Sequence, residues 1–468
     1  MDYIFNEEKF KKNFNVNEKK SLDSLRLSHV PDHEFKLFPY KASGKTQSPI
    51  VIDLEETVSD FFRMVLGSDV RTINYEELCK TLISELEIDS EDIELFKDII
   101  QSMFFNGESF VAKSLGLYPY QTQSGNKSIE RLALFLFSVL GINREDCQKI
   151  KVAINNYPYN VLEKMIVEVA ENVKEREIRS IEPYFPIIID VQKKFRDDFY
   201  FMLEFGMTSL DDFSNLLAIY YFYYVSQTCI ALDQFCQGKR AEPIPLYFAL
   251  DWEKVSKNRS CCNEGWEKLL SNINHMFCHA ITLEIINQHS SSAQMYDYIK
   301  LQDYINENPD EDYAIAREIE VAEKVYVSYV GDCNFDEIPY ASGGSRTDRA
   351  IRHLFKCVEE QFLNTERKRA NQFYNEKFME FCKNRWVKNR RKSGSVLNLT
   401  ERDIIFLTKI SIKDKEKIRL IDLYKEYEYR GIFLDHTSKE YLQEFFTKLN
   451  LIDKKSDSGD AQYVKRIL

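Results

Sequence analysis

Apolar residues recur at helical spacing through most of the chain, beginning just after residue 50. In residues 53–65 they return every three or four positions and share one helix face, the residues being Leu54, Val58, Phe61, Phe62 and Val65. The same period in residues 91–104, 161–173 and 191–205 predicts further amphipathic helices. Residues 1–50 lack this period, so we predict an irregular N-terminal segment there.

One predicted helix is apolar on all its sides. Residues 216–235 include five consecutive aromatic residues at 220–224. The apolar run covers only 17 residues, 216–232, and is interrupted by the polar residues 226–228. A span across a bilayer needs about 20 apolar residues. We therefore expect a buried helix at the centre of the body and no membrane association.

The pattern of apolar residues divides residues 51–394 into three parts. A helical body is predicted for residues 51–240, because Pro243 and Pro245 then interrupt the period. Residues 241–365 form a second helical region, with a short buried segment at 246–252 and a glycine-rich turn before a helix near Thr347. Residues 366–394 are predicted to be a basic helix or linker.

Residues 395–468, called the C-terminal module below, show three helical segments followed by two short strands. Thr400 and Asp403 have capping-box spacing at the start of the first helix, and Thr437 and Glu440 have it at the third. The second helix is predicted from Ile418 to a stop at Gly431, and a Ser/Asp/Gly turn separates the strands. Three helices and a terminal hairpin are typical of a winged helix. The predicted fold class is mainly α: a multi-helix body with a C-terminal winged-helix-like module.

The composition indicates the fold class and the cellular compartment that we expect for the protein. The 15 glycines and 11 prolines are too few for a turn-rich all-β fold. The ten cysteines are scattered without regular spacing, which is typical of reduced, buried thiols rather than of a secreted disulfide scaffold. The first residues lack a basic stretch followed by an apolar one, so no signal peptide is predicted. We expect a cytoplasmic protein.

Charge is distributed unevenly along the chain. Residues 1–365 hold 39 Lys and Arg against 59 Asp and Glu, whereas residues 366–394 hold 10 against 3. The C-terminal module is nearly neutral, with 14 against 13. An acidic body opposes binding of nucleic acid over the whole surface, so any contact with DNA is expected to be local.

Two groups of residues are the predicted DNA-binding residues. Cations can hold phosphates, and an interleaved tryptophan can stack on a base. The first group precedes the C-terminal module and the second lies on its predicted wing; together they are Lys383, Arg385, Trp386, Lys388, Arg390, Arg391, Lys392, Lys454, Lys455, Lys465 and Arg466. The alternatives are a solvated helix end for the first group and a protein-docking module for the second. The predicted third helix favours docking, because the formal charge of its exposed face is zero.

The sequence motifs that would indicate nucleotide binding or metal binding are incomplete. Residues 44–46 (Gly-Lys-Thr) lack the upstream glycine of a phosphate-binding loop, since position 39 is proline. His275 and His279 have workable spacing for a metal on a helix, but no glutamate follows His275 and no Cys-x-x-Cys completes a site. We predict no catalytic residue, no cofactor and no metal site.

Two further segments have ordinary structural interpretations. Residues 343–349 hold two glycines and two arginines that could bind an anion at a helix start, although a tight turn is favoured. Asp251 and Glu253 resemble a nuclease carboxylate pair, but no lysine-bearing strand with a third carboxylate follows. Trp252 and Trp266 are expected to lie in the core or to contact a partner.

Three stretches resemble a known family. Residues 434–450 with 455–464, residues 248–256 (Phe-Ala-Leu-Asp-Trp-Glu-Lys-Val-Ser) and residues 37–41 (Leu-Phe-Pro-Tyr-Lys) are similar to DptG, the DNA phosphorothioation-dependent restriction proteins. The resemblance covers essentially the whole chain, but none of these stretches is a mechanistic motif. It implies a bacterial defence role beside two partner proteins that hydrolyse nucleotides, and it carries over no catalytic residues.

The function expected from the resemblance is a non-catalytic adaptor or scaffold subunit of a restriction complex, which bridges companion ATPase or helicase-like subunits and contacts DNA locally. Two alternatives stay open. One is a divergent metal-dependent nuclease that uses carboxylates such as Asp251 and Glu253. The other is a winged-helix transcriptional regulator, against which the neutral third helix and the large acidic body argue.

Overall fold

The protein is mainly helical, as predicted. A computed structural model describes the chain over residues 3–42, 50–67, 73–171, 183–240, 242–290, 294–454 and 462–467. The helices that precede the main sheet in sequence are α1 (Glu7–Asn13), α2 (Glu55–Leu66), α3 (Tyr75–Leu86), α4 (Ile93–Phe104), α5 (Lys127–Val139), α6 (Arg144–Asn155), α7 (Val161–Glu171), α8 (Asp190–Glu204) and α9 (Leu210–Asp233).

The second half of the chain adds the remaining helices and most strands. The helices are α10 (Glu267–Ile273), α11 (Met276–Ile286), α12 (Tyr298–Glu307), α13 (Asp312–Ser328), α14 (Arg346–Asn364), α15 (Lys368–Arg385), α16 (Glu401–Ile412), α17 (Leu420–Tyr429) and α18 (His436–Lys448). The strands are β1 (Phe105–Asn106), β2 (Ser109–Phe110), β3 (Tyr247–Leu250), β4 (Val387–Asn389), β5 (Ser395–Leu399), β6 (Lys417–Arg419), β7 (Phe433–Leu434), β8 (Ile452–Lys454) and β9 (Gln462–Lys465).

The N-terminal segment packs against the helices although most of it has no regular structure. Apart from α1, its described residues 3–42 form no helix or extended strand. The side chain of Asn6 accepts a hydrogen bond from the Lys9 amide at 3.0 Å and so caps α1. Phe10, Phe14 and Phe35 are fully buried, so this segment contributes to the core.

The aromatic segment forms α9, and its residues from Phe213 to Leu232 are buried, as the sequence predicts. Its tyrosine hydroxyls reach polar partners inside the body, because a buried hydroxyl without a partner is costly. Tyr220 donates to Asp198 of α8 at 2.7 Å, and Lys194 of the same helix donates to Tyr223 at 2.6 Å. The helix therefore holds α8 through hydrogen bonds as well as through apolar packing.

A four-stranded sheet in the order β4-β5-β3-β7 joins distant parts of the chain. The short buried segment predicted after Pro245 is β3. Phe248 is opposite Leu397 of β5 on one side and Leu434 of β7 on the other, and both pairings are parallel. Two strands of this sheet thus come from the C-terminal module.

The C-terminal module runs in the order β5, α16, β6, α17, β7, α18, β8, β9. Strands β6, β9 and β8 form an antiparallel sheet with β9 at its centre. The predicted start of the first helix is confirmed, because Thr400 and Asp403 cap each other's backbone amides. The two predicted strands of the hairpin pair as β8 and β9, while the turn predicted between them falls outside the described residues.

Two details of the module differ from the prediction. Ile418 belongs to β6, where it is opposite Val464, and not to the second helix, which begins at Leu420. Asp435, not Thr437, caps α18, since its carboxylate accepts the Ser438 amide at 2.9 Å. The pairing with distant Val464 decides the place of Ile418, whereas the cap of α18 is a local contact that begins two positions before the predicted one.

The contacts that fasten the module to the body include ion pairs at two places. Arg430, at the end of α17, forms a bidentate pair with Asp198 of α8, with two nitrogen–oxygen distances of 2.7 Å, and both side chains are 1% exposed. The second place is called the body–module junction and comprises β3, residues 251–259 and the α18 residues that contact them. There Arg259 pairs with Asp435, and Trp252 packs on Phe445 with ring centroids 4.7 Å apart.

Most of the cysteines are buried, as the sequence predicts. All ten cysteines are free, eight of them buried and two half-buried. Among the described residues, no helix combines the length and the apolar character that crossing a bilayer requires.

Candidate nucleic-acid interface

The first group of predicted DNA-binding residues, 383–392, is called the basic segment below and lies at the end of α15 and on the antiparallel hairpin of β4 and β5. A short 3-10 turn, Arg391–Ser393, connects the two strands, and Gly394 follows it with φ +80°. The segment is therefore folded and carries part of the main sheet, so its side chains have fixed directions.

Trp386 and Arg385 point into the body. Trp386 is 3% exposed and packs edge to face on Phe222 of α9, with ring centroids 4.8 Å apart. It cannot stack on a base in this position, which corrects the role predicted from its place among cations. The Arg385 guanidinium donates to Asn215 at 2.5 Å and lies over the Trp386 ring, and burial lowers the pKa of Arg385.

Lys388 and Arg390 are bound to the body–module junction. Lys388 pairs with Asp251, which lies just after β3. Arg390 donates to the Leu250 carbonyl oxygen at 2.7 Å and to the Asn398 side chain at 2.5 Å. These two cations hold the hairpin against β3, and their charges are partly or wholly satisfied there.

Three members of the segment face solvent. Lys383 is exposed and pairs with Glu380 on the same helix at 2.7 Å. The side chains of Arg391 and Lys392 are exposed at the hairpin turn and form no ion pair with the described residues. Within residues 383–392, the exposed cations that form no ion pair with the described residues are thus Arg391 and Lys392.

Of the four cations on the predicted wing, the structure describes the side chains of Lys465 and Arg466. Lys465 is exposed on β9, opposite Lys417 of β6. The guanidinium of Arg466 lies 5.1 Å above the ring of Phe205, which follows α8, and is half-buried. Lys454 ends β8, and Lys455 lies outside the described residues. Among the described residues, no hydrogen bond or ion pair joins residues 383–392 to Lys465 or Arg466.

Helix α18, the predicted third helix, is docked at its N-terminal end. The Asp435 carboxylate pairs with Arg259 at 2.5 Å, and the Ser438 hydroxyl donates to Glu253 at 3.0 Å. In helix-turn-helix proteins this end of the recognition helix reads base edges. The exposed positions farther along include Glu440, Glu444 and Lys448, a net negative set. The helix is therefore poorly placed for base readout.

The two carboxylates of the alternative nuclease interpretation face different partners. Asp251 is bound by Lys388 and lies 3.3 Å from the Asn398 amide, and these contacts hold its pKa below the usual range. Glu253 is buried, which raises its pKa, and it pairs with Arg259 at 3.1 Å. Both carboxylates therefore form ion pairs at the body–module junction.

His275 and His279 do lie together, as their spacing predicts, and they share one carboxylate. Asp233 Oδ1 is 2.9 Å from His275 Nδ1 and 2.8 Å from His279 Nε2. Burial alone would raise the pKa of Asp233, but hydrogen bonds from both imidazoles hold it well below its usual range. Hydrogen bonding at the end of α9 accounts for this cluster.

The glycine-rich turn is also satisfied internally. Ser345 caps α14, and the amides of Arg346 and Thr347 each donate to the Asp312 carboxylate at 2.9 Å. Asp312 thus occupies the position that an anion would take at this helix start. The favoured interpretation, a turn before the helix, is confirmed.

Sequence reasoning missed the residues that join body and module, chiefly Arg259, and a second cluster of three side chains. Glu323, His353 and Cys357 are buried with their ligand atoms within 4.8 Å of one another. The four-residue spacing of His353 and Cys357 was a local signal, but Glu323 comes from another helix and is 30 residues away.

The family models and the curated proteins identify no relative of this chain. Neither a scan against models of protein families nor a search of curated protein sequences gives a match to this chain.

Proposed function

We propose that this protein is a non-catalytic adaptor subunit of a bacterial DNA phosphorothioation-dependent restriction complex. In this role it bridges companion ATPase subunits and contacts DNA locally. The proposal begins from the resemblance of three stretches of sequence to the DptG proteins. It extends to the C-terminal module, for which we propose a winged-helix fold used mainly for docking.

The observation that carries the proposal is the position of two of those stretches. Residues 248–256 and 434–450 are nearly 200 positions apart, yet Phe248 is opposite Leu434 in the sheet. The Ser438 hydroxyl lies 3.4 Å from the Phe248 carbonyl oxygen, and Trp252 packs on Phe445. The resemblance therefore falls on both sides of one junction, which favours a shared architecture over a shared reaction.

The order and pairing of α16 to β9 support a winged-helix assignment. A helix and a strand are followed by two helices and a strand pair, and the first strand joins the edge of that pair. The docked start of α18 and its acidic exposed positions support a docking role over base readout. DNA contact is then assigned to Arg391 and Lys392, which are the accessible cations of the hairpin.

The complex itself is tested by isolating the tagged full-length chain from its native host and identifying co-purifying proteins by mass spectrometry. We expect two nucleotide-hydrolysing proteins in fixed ratio with the chain. The Arg391→Ala/Lys392→Ala variant should retain both, because those residues are assigned to DNA. Recovery of the chain without such partners would overturn the adaptor role.

DNA contact is tested by measuring the affinity of the purified chain for duplex DNA across a series of salt concentrations. Each phosphate contact contributes about 0.9 to the slope of log affinity against log salt. Arg391→Ala/Lys392→Ala should lower the slope by about 2 if both residues contact phosphate. The control is Lys12→Ala/Lys19→Ala, which removes two exposed cations from the N-terminal segment. Equal slopes in both variants would reject the assignment.

A further inference from the structure

Glu323, His353 and Cys357 lie between two packed helices. Glu323 is on α13, and His353 and Cys357 are one turn apart on the same face of α14. Glu323 Oε2 is 2.7 Å from His353 Nδ1, and Cys357 Sγ is 3.9 Å from that nitrogen. The three residues are 7%, 8% and 1% exposed, so their polar atoms converge in a nearly closed place.

The imidazole is held in the orientation that a metal ligand requires. His353 Nε2 lies 3.2 Å from the Ile338 carbonyl oxygen, which can accept its proton and leave the Nδ1 lone pair directed at the cluster. Metal-binding histidines are generally fixed in this way by a carbonyl or carboxylate on the other nitrogen. The ring of Tyr340 stacks on the imidazole at 3.8 Å and 8°, which further restrains it.

The distances fit a small divalent ion. Zinc bonds of about 2.0–2.3 Å in a tetrahedron put neighbouring ligand atoms about 3.3–3.6 Å apart. The separation of 3.9 Å from sulfur to nitrogen is slightly wider, and that of 2.7 Å from nitrogen to oxygen is the hydrogen bond of the metal-free pair. Binding requires the Glu323 carboxylate to retract from the imidazole by about 0.6 Å and to stay near the Cys357 thiolate, whose sulfur lies within 4.8 Å of it.

We propose that Glu323, His353 and Cys357 bind one zinc ion, with water in the fourth position. A hydrogen bond between Glu323 and His353 alone leaves the inward thiol unexplained, whereas nitrogen, sulfur and oxygen together are the ligands that zinc prefers. Binding replaces the protons on the thiol and on the Glu323–His353 pair. The ion fastens α13 to α14, and this inference is independent of the proposed function.

The test is a cobalt titration of the full-length chain after treatment with a chelator. Cobalt replaces zinc in such sites and gives a thiolate charge-transfer absorption that zinc lacks. The compared proteins are the parent chain, Cys357→Ser, Glu323→Gln and the control Cys147→Ser, which alters a half-buried thiol on α6. Circular dichroism confirms that each variant is folded, and Tm is measured with and without zinc.

We expect the parent chain and Cys147→Ser to bind one cobalt ion with thiolate absorption that one equivalent of zinc displaces. Zinc should raise Tm in those two proteins, because it binds only the folded state. Cys357→Ser should lose the absorption and the rise in Tm. Glu323→Gln should bind cobalt at least about tenfold more weakly, and it decides the matter if Cys357→Ser does not fold. Absence of thiolate absorption in the parent chain, or its survival in Cys357→Ser, overturns the proposal.

Discussion

At the scale of single residues, the attachment of the module depends on positions that tolerate little change. Gly431 follows α17 with φ +77°, and its amide donates to the Glu428 carbonyl oxygen at 2.9 Å. A β-carbon on Gly431 would lie 2.5 Å from the ring of Tyr223 in α9. The glycine is therefore required both by the backbone conformation and by the close approach to the central helix.

Gly431→Ala is expected to destabilise the protein by about 2–4 kcal/mol, from the left-handed conformation and from the displaced ring. The control is Gly206→Ala, which has φ +75° and open space around the new methyl group. It should lose only about 1–2 kcal/mol. Urea unfolding measures both, and equal losses would show that the contact with Tyr223 does not matter.

Asp198 gives a prediction that depends on pH. Burial by itself would raise the pKa of this carboxyl, but Arg430, Lys413 and the Tyr220 hydroxyl hold it below its ordinary value of 3.8. The ion pair therefore stabilises the fold above pH 3.8, and this contribution is lost as pH falls through the lower folded value.

Asp198→Asn should destabilise the protein by about 3–5 kcal/mol at pH 7, because Arg430 stays buried without its counter-charge. The difference from the parent chain should shrink as the pH falls below 3.8. Chemical unfolding at several pH values measures this difference. Asp422→Asn, which breaks an exposed pair with Lys425, is the control and should change little at any pH. A difference that stays constant with pH would contradict the assignment.

At the scale of elements, the start of α18 combines a cap with an ion pair. The Asp435 carboxylate accepts the Ser438 amide and also binds Arg259. Asp435→Ala removes both and should cost about 1–2 kcal/mol for the cap and about 1–3 kcal/mol more for the donors left unpaired. Asp435→Asn keeps an acceptor for the cap and should lie between the two proteins. Asn74→Ala, at the exposed cap of α3, should lose about 1 kcal/mol in the same unfolding assay.

Sequence predicted those elements whose decisive contacts are local. Thr400 and Asp403 are three positions apart, so the start of α16 was visible in the sequence. Ile418 also fits a helical period, but its pairing with Val464 makes it part of a strand. The inward direction of Trp386 depends on Phe222, and the role of Arg390 depends on Leu250. Such contacts join residues more than 40 positions apart, and no local pattern records them.

At the scale of the whole molecule, body and module should unfold together. The module supplies β5 and β7 to the main sheet, and Arg430 anchors it to α8. The fluorescence of Trp252 and Trp386 reports on this connection, because Trp252 packs on α18 and Trp386 packs on α9. Urea transitions followed by tryptophan fluorescence and by far-UV circular dichroism should coincide. A fluorescence transition at lower urea than the loss of helix would show that the module separates first.

The position of β3 in the sequence also affects how the chain folds while it is being synthesised. Its neighbours in the sheet, Leu397 and Leu434, are encoded far downstream of Phe248. At the usual pace of about 5–20 residues per second, β7 leaves the ribosome about 10–40 s after β3. For most of that interval, until β5 is also made, an apolar strand has no partner on either edge, which is the situation that attracts chaperones. Chains that terminate early should therefore be held by chaperones or degraded, and the protein should fold fully only after β7 has been made.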